Sequence, residues 1–229
     1  MRTEDLSWMD VENYLKHEDR LILVLGACEQ HGYLSLLTDV KIPVALADAA
    51  SKQTGVLVAP PLNFGVSPYF LTYPGTLSLR ASTLLDLVED LVRSAYGQGF
   101  RRILVLNGHG GNDAARARLV ELANQLPDLQ LEWYAWWQSE GVKEMARRHD
   151  LIPAHASWME AFSFTRVGEL PKGKKKQQPP APSTLLNAEQ TRRAFGDGVY
   201  AGAYQADDAI LQELFDLCLG EILQLLKFA

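Results

Sequence analysis

Short, uninterrupted apolar runs alternate along this chain with longer stretches whose apolar residues recur every three or four positions. The runs L-I-L-V-L-G-A (21–27), V-L-V-A-P-P (56–61), R-R-I-L-V-L-N (101–107) and L-Q-L-E-W-Y-A-W-W (129–137) have the length of strands. Continuous apolar runs of this kind belong to strands buried on both faces of a parallel sheet. Between them, 44–55, closed by Gly55, then 82–99 and 113–126 read as helices. In the second of these, Leu84, Val88, Leu91 and Ala95 form one stripe, Thr83 with Asp86 resembles a capping box, and Gly97 or Gly99 ends it. Residues 207–228 form a last helix, with Ile210, Leu214, Leu217 and Leu225 at helical spacing. Residues 62–80, rich in glycine, proline and aromatics, read as a long structured loop of the kind that often carries function. The strand–helix–strand order over 101–137 predicts a right-handed crossover, and the whole pattern an α/β sandwich on a mostly parallel sheet.

Length and composition narrow the class. At 229 residues with 47% hydrophobic and 22% charged, the chain suits one domain spanning 1–229. The lysine- and proline-rich stretch 171–183 lacks apolar surface to bury and is expected to be a mobile surface loop. A net charge of −6 argues against nucleic acid as a partner. The opening residues are too polar for a signal peptide, and no apolar run approaches the ~18 residues of a membrane span, so the expected compartment is the cytoplasm. Cys28 and Cys218 form no C-x-x-C pair and read as reduced, mostly buried thiols.

Polar residues then concentrate where ligands bind in parallel sheets, beyond the carboxyl ends of the strands. The first run ends in Glu29 and His31, with Asp39 eight residues on; the third ends in Asn107, His109 and Asn112 among Gly108, Gly110 and Gly111. A phosphate-binding turn would explain the glycines, but the G-x-G-x-x-G and P-loop spacings are absent, and such a turn has no need of a histidine. A third cluster carries His155 and Glu160 in a stretch almost free of charge, whereas His17 and His149 sit among charged neighbours like residues of a solvated helix face. Glu29, His31, Asp39, His109 and Glu160 offer oxygen and nitrogen without thiolate, a donor set suited to zinc, manganese or iron(II). Converging carboxylates repel; two divalent cations with a hydroxide would neutralise three of them, and an aspartate can bridge ions ~3.5–4 Å apart. His155 is left as a proton shuttle to a departing nitrogen. Gly110, Gly111, Asn112 and Trp137 are the expected substrate contacts.

The segments E-Q-H-G (29–32) with Asp39, F-G-V-S-P-Y-F-L-T-Y-P-G-T-L-S-L (64–79), G-F-R-R-I-L-V-L-N-G-H-G-G-N (99–112) and H-A-S-W-M-E (155–160) together resemble the creatininase (creatinine amidohydrolase) family, from about residue 20 to the C-terminal helix. The resemblance implies a three-layer α/β fold, two divalent metal ions, hydrolysis of non-peptide C–N bonds in small molecules, and homo-oligomers, often hexamers. It puts Glu29, His31, Asp39 and His109 on metal-ligand positions, with Asp39 the bridge, and His155 on the catalytic histidine. Family members usually follow E-Q-H-G with a second histidine, Leu-Pro and Gly-Thr-Asp; this chain reads Y-L-S-L-L-T-D, one residue shorter. Members that open creatinine have an acidic ligand where this chain has Gly111, which makes Glu160 the expected replacement and turns attention from creatinine to other amides, amidines or formamides. Relatives with N-G-H-G-G-N resemble formamide hydrolases of flavin and deazaflavin synthesis and a peptidase that trims a redox-peptide precursor. Two other readings stay open: a peptidase acting on a short peptide, and a catalytically decayed small-molecule-binding protein on the same fold.

Overall fold

A four-stranded parallel sheet organises the protein, whose computed structural model describes residues 1–176 and 185–228. Strands β1 (Arg20–Leu25), β2 (Leu57–Val58), β3 (Arg102–Asn107) and β4 (Gln130–Ala135) lie in the order β2-β1-β3-β4. Leu25 is opposite Asn107, and Asn107 opposite Ala135, so three strands end at one level and present one edge to the site.

Alternation along each run sorts its side chains into two cores. Ile22, Val24, Leu104 and Leu106 pack toward helices α2 (Thr38–Thr54), α5 (Glu140–Arg148) and α7 (Asp208–Leu225). Leu21, Leu23, Leu25, Ile103 and Val105 face the opposite layer, formed by α1 (Trp8–Leu15), α3 (Ala81–Gln98) and α4 (Ala115–Gln125). This is the three-layer α/β sandwich. Each fully buried aliphatic side chain contributes roughly 1.5–3 kcal/mol, so the strands are fixed in register by both faces at once.

The elements depart from the sequence pattern in instructive places. Helix α2 begins at Thr38, six residues before the expected start, and carries Pro43 inside it. Proline has no N–H, so the Asp39 carbonyl loses its helical donor. The backbone at Gly108 lies against that carbonyl, where a Cβ would stand 2.0 Å from the oxygen. The first turn of α2 thereby reaches the strand ends. Gly55 (φ 74°) and Gly99 (φ 117°) close α2 and α3 in the left-handed conformation. Helix α3 starts after Arg80, which places Thr83 and Asp86 inside the helix and leaves no side-chain cap there. Three short helices lay outside the expected set: α1, α5 and α6 (Ala188–Phe195), capped by Ser7, Ser139 and Asn187.

The stretch 171–183 is not all loop. Lys174–Lys175 (β5) pairs antiparallel with Gly202–Ala203 (β6), and the Lys175 ammonium binds Asp197 and the Phe195 carbonyl. Residues 177–183 of that stretch lie outside the described residues. Among the described residues no helix is long and apolar enough to cross a membrane.

Candidate functional site

Four separate segments meet at the level edge of the sheet. Glu29 and His31 follow β1, His109 follows β3, Asp39 is the second residue of α2, and Glu160 ends a 3-10 turn at Trp158–Glu160. All five are 1 to 8% exposed. The placement of Glu160 has a backbone cost: Ala156 is buried with φ 59°, a left-handed conformation that costs an L-residue roughly 1–2 kcal/mol. Its N–H donates to Glu160 Oε2 at 2.5 Å, which leaves Oε1 facing His31 Nε2 at 3.9 Å.

Asp39 stands at the centre. Its Oδ1 is 2.9 Å from His31 Nε2 and its Oδ2 is 2.8 Å from His109 Nδ1. The rear nitrogens of both rings face backbone carbonyls: His31 Nδ1 lies 3.0 Å from the Glu29 oxygen, and His109 Nε2 lies 2.9 Å from the Val66 oxygen. A carbonyl only accepts, so in the neutral rings the hydrogens sit at the rear and bare nitrogens face Asp39. Acceptor against acceptor at under 3 Å calls for a cation between them. Glu29 Oε2, His31 Nε2 and Asp39 Oδ2 are moreover buried without a hydrogen-bond partner. The residues fit a metal: Glu29, Asp39 and His109 form one group with ligand atoms within 4.8 Å, His31, Asp39 and Glu160 a second, and Glu29, His31 and His155 a third, and Asp39 links the first two. Neighbouring donors each about 2.0–2.2 Å from one ion stand about 3 Å apart, matching the Asp39 separations.

Without ions, protons take that role. Burial acts to lower both histidines, yet the carboxylates outweigh it: Asp39 and Glu160 lift His31 to about 10, and Glu29 and Asp39 lift His109 to about 9. Burial raises Glu29 and Glu160 to about 7. Burial would raise Asp39 too, but His31 and His109 hold it below the usual carboxylate range. His155 moves the other way: burial, then the neighbouring His31, push it well below its ordinary value, so its ring is neutral.

A cavity of about 590 Å³ opens onto this cluster. Glu29, Asp39, His109, His155 and Glu160 line it, while His31 stands behind them. Phe70 stacks on the His155 ring (4.9 Å, 13°), and Tyr200 lies 5.0 Å from it. Trp137, Gly110 and Gly111 also line the cavity. Asn112, expected at the substrate, does not: it is fully buried, donating to the Gly26 carbonyl at 3.1 Å and accepting from Val66 N–H at 3.3 Å. Its amide thereby braces the turn after β1 against the 62–80 loop. Gly111 has no room for a side chain, since a Cβ would stand 1.8 Å from the Val66 oxygen, and Glu160 enters from another direction. The shortened segment after Gly32 stays anchored by the Ser35 N–H to the Thr165 carbonyl at 2.8 Å. Sequence reasoning did not single out Gln30, Val66, Phe70 or Tyr200. Val66 and Phe70 fall in the loop marked as functional by its length, Gln30 lies inside E-Q-H-G, and Tyr200 carried no signal.

Known proteins resemble this chain in sequence and in fold. Creatinine amidohydrolase from Pseudomonas putida is 30% identical over 65% of this chain and 62% of its own length. The mycofactocin precursor peptide peptidase of Mycolicibacterium smegmatis is 38% identical over 44% of each chain. The 3-dehydro-scyllo-inosose hydrolase of Thermotoga maritima is 26% identical over 57% of this chain and 44% of its own. The chain thus spans less than two thirds of the length of these curated relatives. In fold, a mutant creatininase of zinc–zinc type matches with a TM-score of 0.83 at 20% identity, covering 97% of this chain and 95% of that one. A manganese creatininase matches at 0.81 and 21%, covering 97% and 96%. The family model for creatininase (creatinine amidohydrolase) matches residues 4–226, and the chain belongs to that family.

Proposed function

We propose that this chain is a metal-dependent hydrolase that cleaves a carbon–nitrogen bond in a small amide, amidine or formamide. The observation that carries the reading is Asp39, whose two oxygens each face a histidine nitrogen at under 3 Å in a buried donor cluster with orphaned polar atoms. Named hydrolases among the relatives, and the zinc and manganese forms among the structural neighbours, support it. Glu29, Asp39 and His109 would hold one ion, and His31, Asp39 and Glu160 a second, each zinc, manganese or iron(II). When bound, such a pair activates water and polarises a carbonyl.

The chain's own residues do the rest. Asp39 spans the two groups, and the Glu29 and Val66 carbonyls fix the ring orientations that aim His31 and His109. His155 faces the cavity beside Glu29, with Nδ1 3.7 Å from Glu29 Oε1, and its neutral ring would hydrogen-bond the substrate, while the departing nitrogen takes up the proton that the attacking water loses. Phe70, Tyr200 and Trp137 wall the cavity, exclude water and pack against a flat substrate. The test is turnover of a panel of amides and formamides by zinc- or manganese-loaded protein. His155→Ala should lower kcat by about 10²–10⁴-fold with metal retained, and His109→Ala should abolish both metal and turnover. Undiminished turnover by chelated, metal-free protein would refute the reading.

A second substrate class has its own support. The cavity volume lies in the range that takes drug-sized ligands, more than a small ring needs, and the peptidase relative is 38% identical where it aligns. The same centre would then cut an amide near the end of a short peptide, and peptides belong in the substrate panel.

A further inference from the structure

The mechanism above leaves unused the side chain between Glu29 and His31. Gln30 is 5% exposed, and its carboxamide is held on several sides. Oε1 accepts from the Gly32 N–H at 3.0 Å, and Nε2 donates to the Gly198 carbonyl at 3.2 Å. Gly198 has no room for a side chain, because a Cβ would stand 1.8 Å from Gln30 Oε1. Turning the amide over would set nitrogen against Gly32 N–H and oxygen against the Gly198 carbonyl. Its orientation is therefore fixed.

In that orientation the amide nitrogen lies 2.9 Å from His155 Nε2, while the other ring nitrogen, Nδ1, lies 3.7 Å from Glu29 Oε1. The backbone carbonyl of the same residue lies 3.1 Å from the same ring nitrogen. One nitrogen cannot serve both. Bare, it accepts the second amide hydrogen and leaves the carbonyl without a donor. Protonated, it donates to the carbonyl, sets its hydrogen against the amide's, and leaves a buried N–H without an acceptor. Buried carbonyls go unpaired more readily than buried N–H groups.

We infer that Gln30 sets the tautomer of His155, keeping Nε2 bare and the ring hydrogen on Nδ1, the nitrogen toward Glu29 and the cavity. The inference rests on the reading of His155 as the group that meets substrate. Its consequence is that the resting ring arrives as a donor, aimed at an acceptor on the substrate, and not as a base. Gln30 is a positioning residue, acting through the ring it orients and touching no reacting atom.

The test is long-range proton–nitrogen NMR on zinc-loaded, full-length protein labelled at histidine nitrogen, with His155 assigned by its absence in His155→Gln. The parent should show a pyrrole-type Nδ1 and a pyridine-type Nε2. Gln30→Met, which removes the amide donor and keeps the backbone carbonyl, should exchange the two shifts, and so should Gln30→Glu, which puts an acceptor in its place. A pyridine-type Nδ1 in the parent overturns the inference, and so do unchanged shifts in a variant that folds and retains zinc. The expected shifts in a protein that turns over no amide would sink the hydrolase reading alone.

Discussion

In the proposed reading, single side chains carry the chemistry of this site, and Asp39 carries most. It links the donor group of Glu29 and His109 to that of His31 and Glu160, and each of its oxygens faces a histidine at 2.8–2.9 Å. Asp39→Asn keeps the size but replaces one acceptor with a donor facing a bare nitrogen. It should weaken metal binding beyond the roughly 10–100-fold that loss of an outer hydrogen-bond partner costs, read by competition titration with a zinc chelator. Retention within about threefold would show that Asp39 does not coordinate. The ligand candidates were legible in the chain because charged residues gather at the ends of buried strands. The groups that aim them were not: Gln30 meets His155 across 125 positions of sequence, and Val66 acts through its backbone oxygen, which no side-chain pattern reveals.

Secondary-structure elements set how closely the strand-end turns can approach one another. Gly111 touches the Val66 carbonyl and Gly108 the Asp39 carbonyl, both unyielding backbone atoms, whereas Gly97 near the end of α3 has open space around it. Gly111→Ala should therefore destabilise by about 3 kcal/mol or more, a Tm drop of roughly 6–12 °C, while Gly97→Ala should raise stability by about 0.5–1 kcal/mol. Thermal unfolding checks both; similar small effects at the two positions would mean the turn after β3 is not tightly packed. Strands β1, β2 and β3 were legible because each is apolar on both faces, β4 because of its aromatic end, and Gly55 and Gly99 marked helix ends. Helix α5 was not, since only Val142, Met145 and Ala146 of E-G-V-K-E-M-A-R-R are buried and its remaining surface is charged. The first turn of α2 was hidden by Pro43, tolerated because Gly108 leaves room for the carbonyl it strands.

The fold as a whole answers to the charge it buries, for the five candidate ligands tie together segments from residue 29 to residue 160. In metal-free protein His31 and His109 titrate above their unfolded value of 6.5, at about 10 and about 9, and Glu29 and Glu160 near 7 instead of 4.5. Each binds more protons folded than unfolded, so its stabilisation is present below the unfolded value and lost as pH rises through the folded one. The depressed groups act outside this window: Asp39 contributes above 3.8 and loses its contribution at lower pH, and His155 contributes above 6.5. The Tm of chelated protein should consequently fall between pH 6.5 and 9, by roughly 5 °C or more, while the increment from added zinc grows because protons no longer compete for the donors. A flat or shrinking increment would contradict the donor assignment. The most direct test is metal content per chain, by elemental mass spectrometry on protein purified without chelator or metal column, beside Glu29→Ala and His109→Ala. About two ions in the parent, with clear loss in both variants, is the predicted result. Less than about a tenth of an ion, even after incubation with zinc or manganese, would contradict the account and leave the cluster a proton-bridged relic of its family.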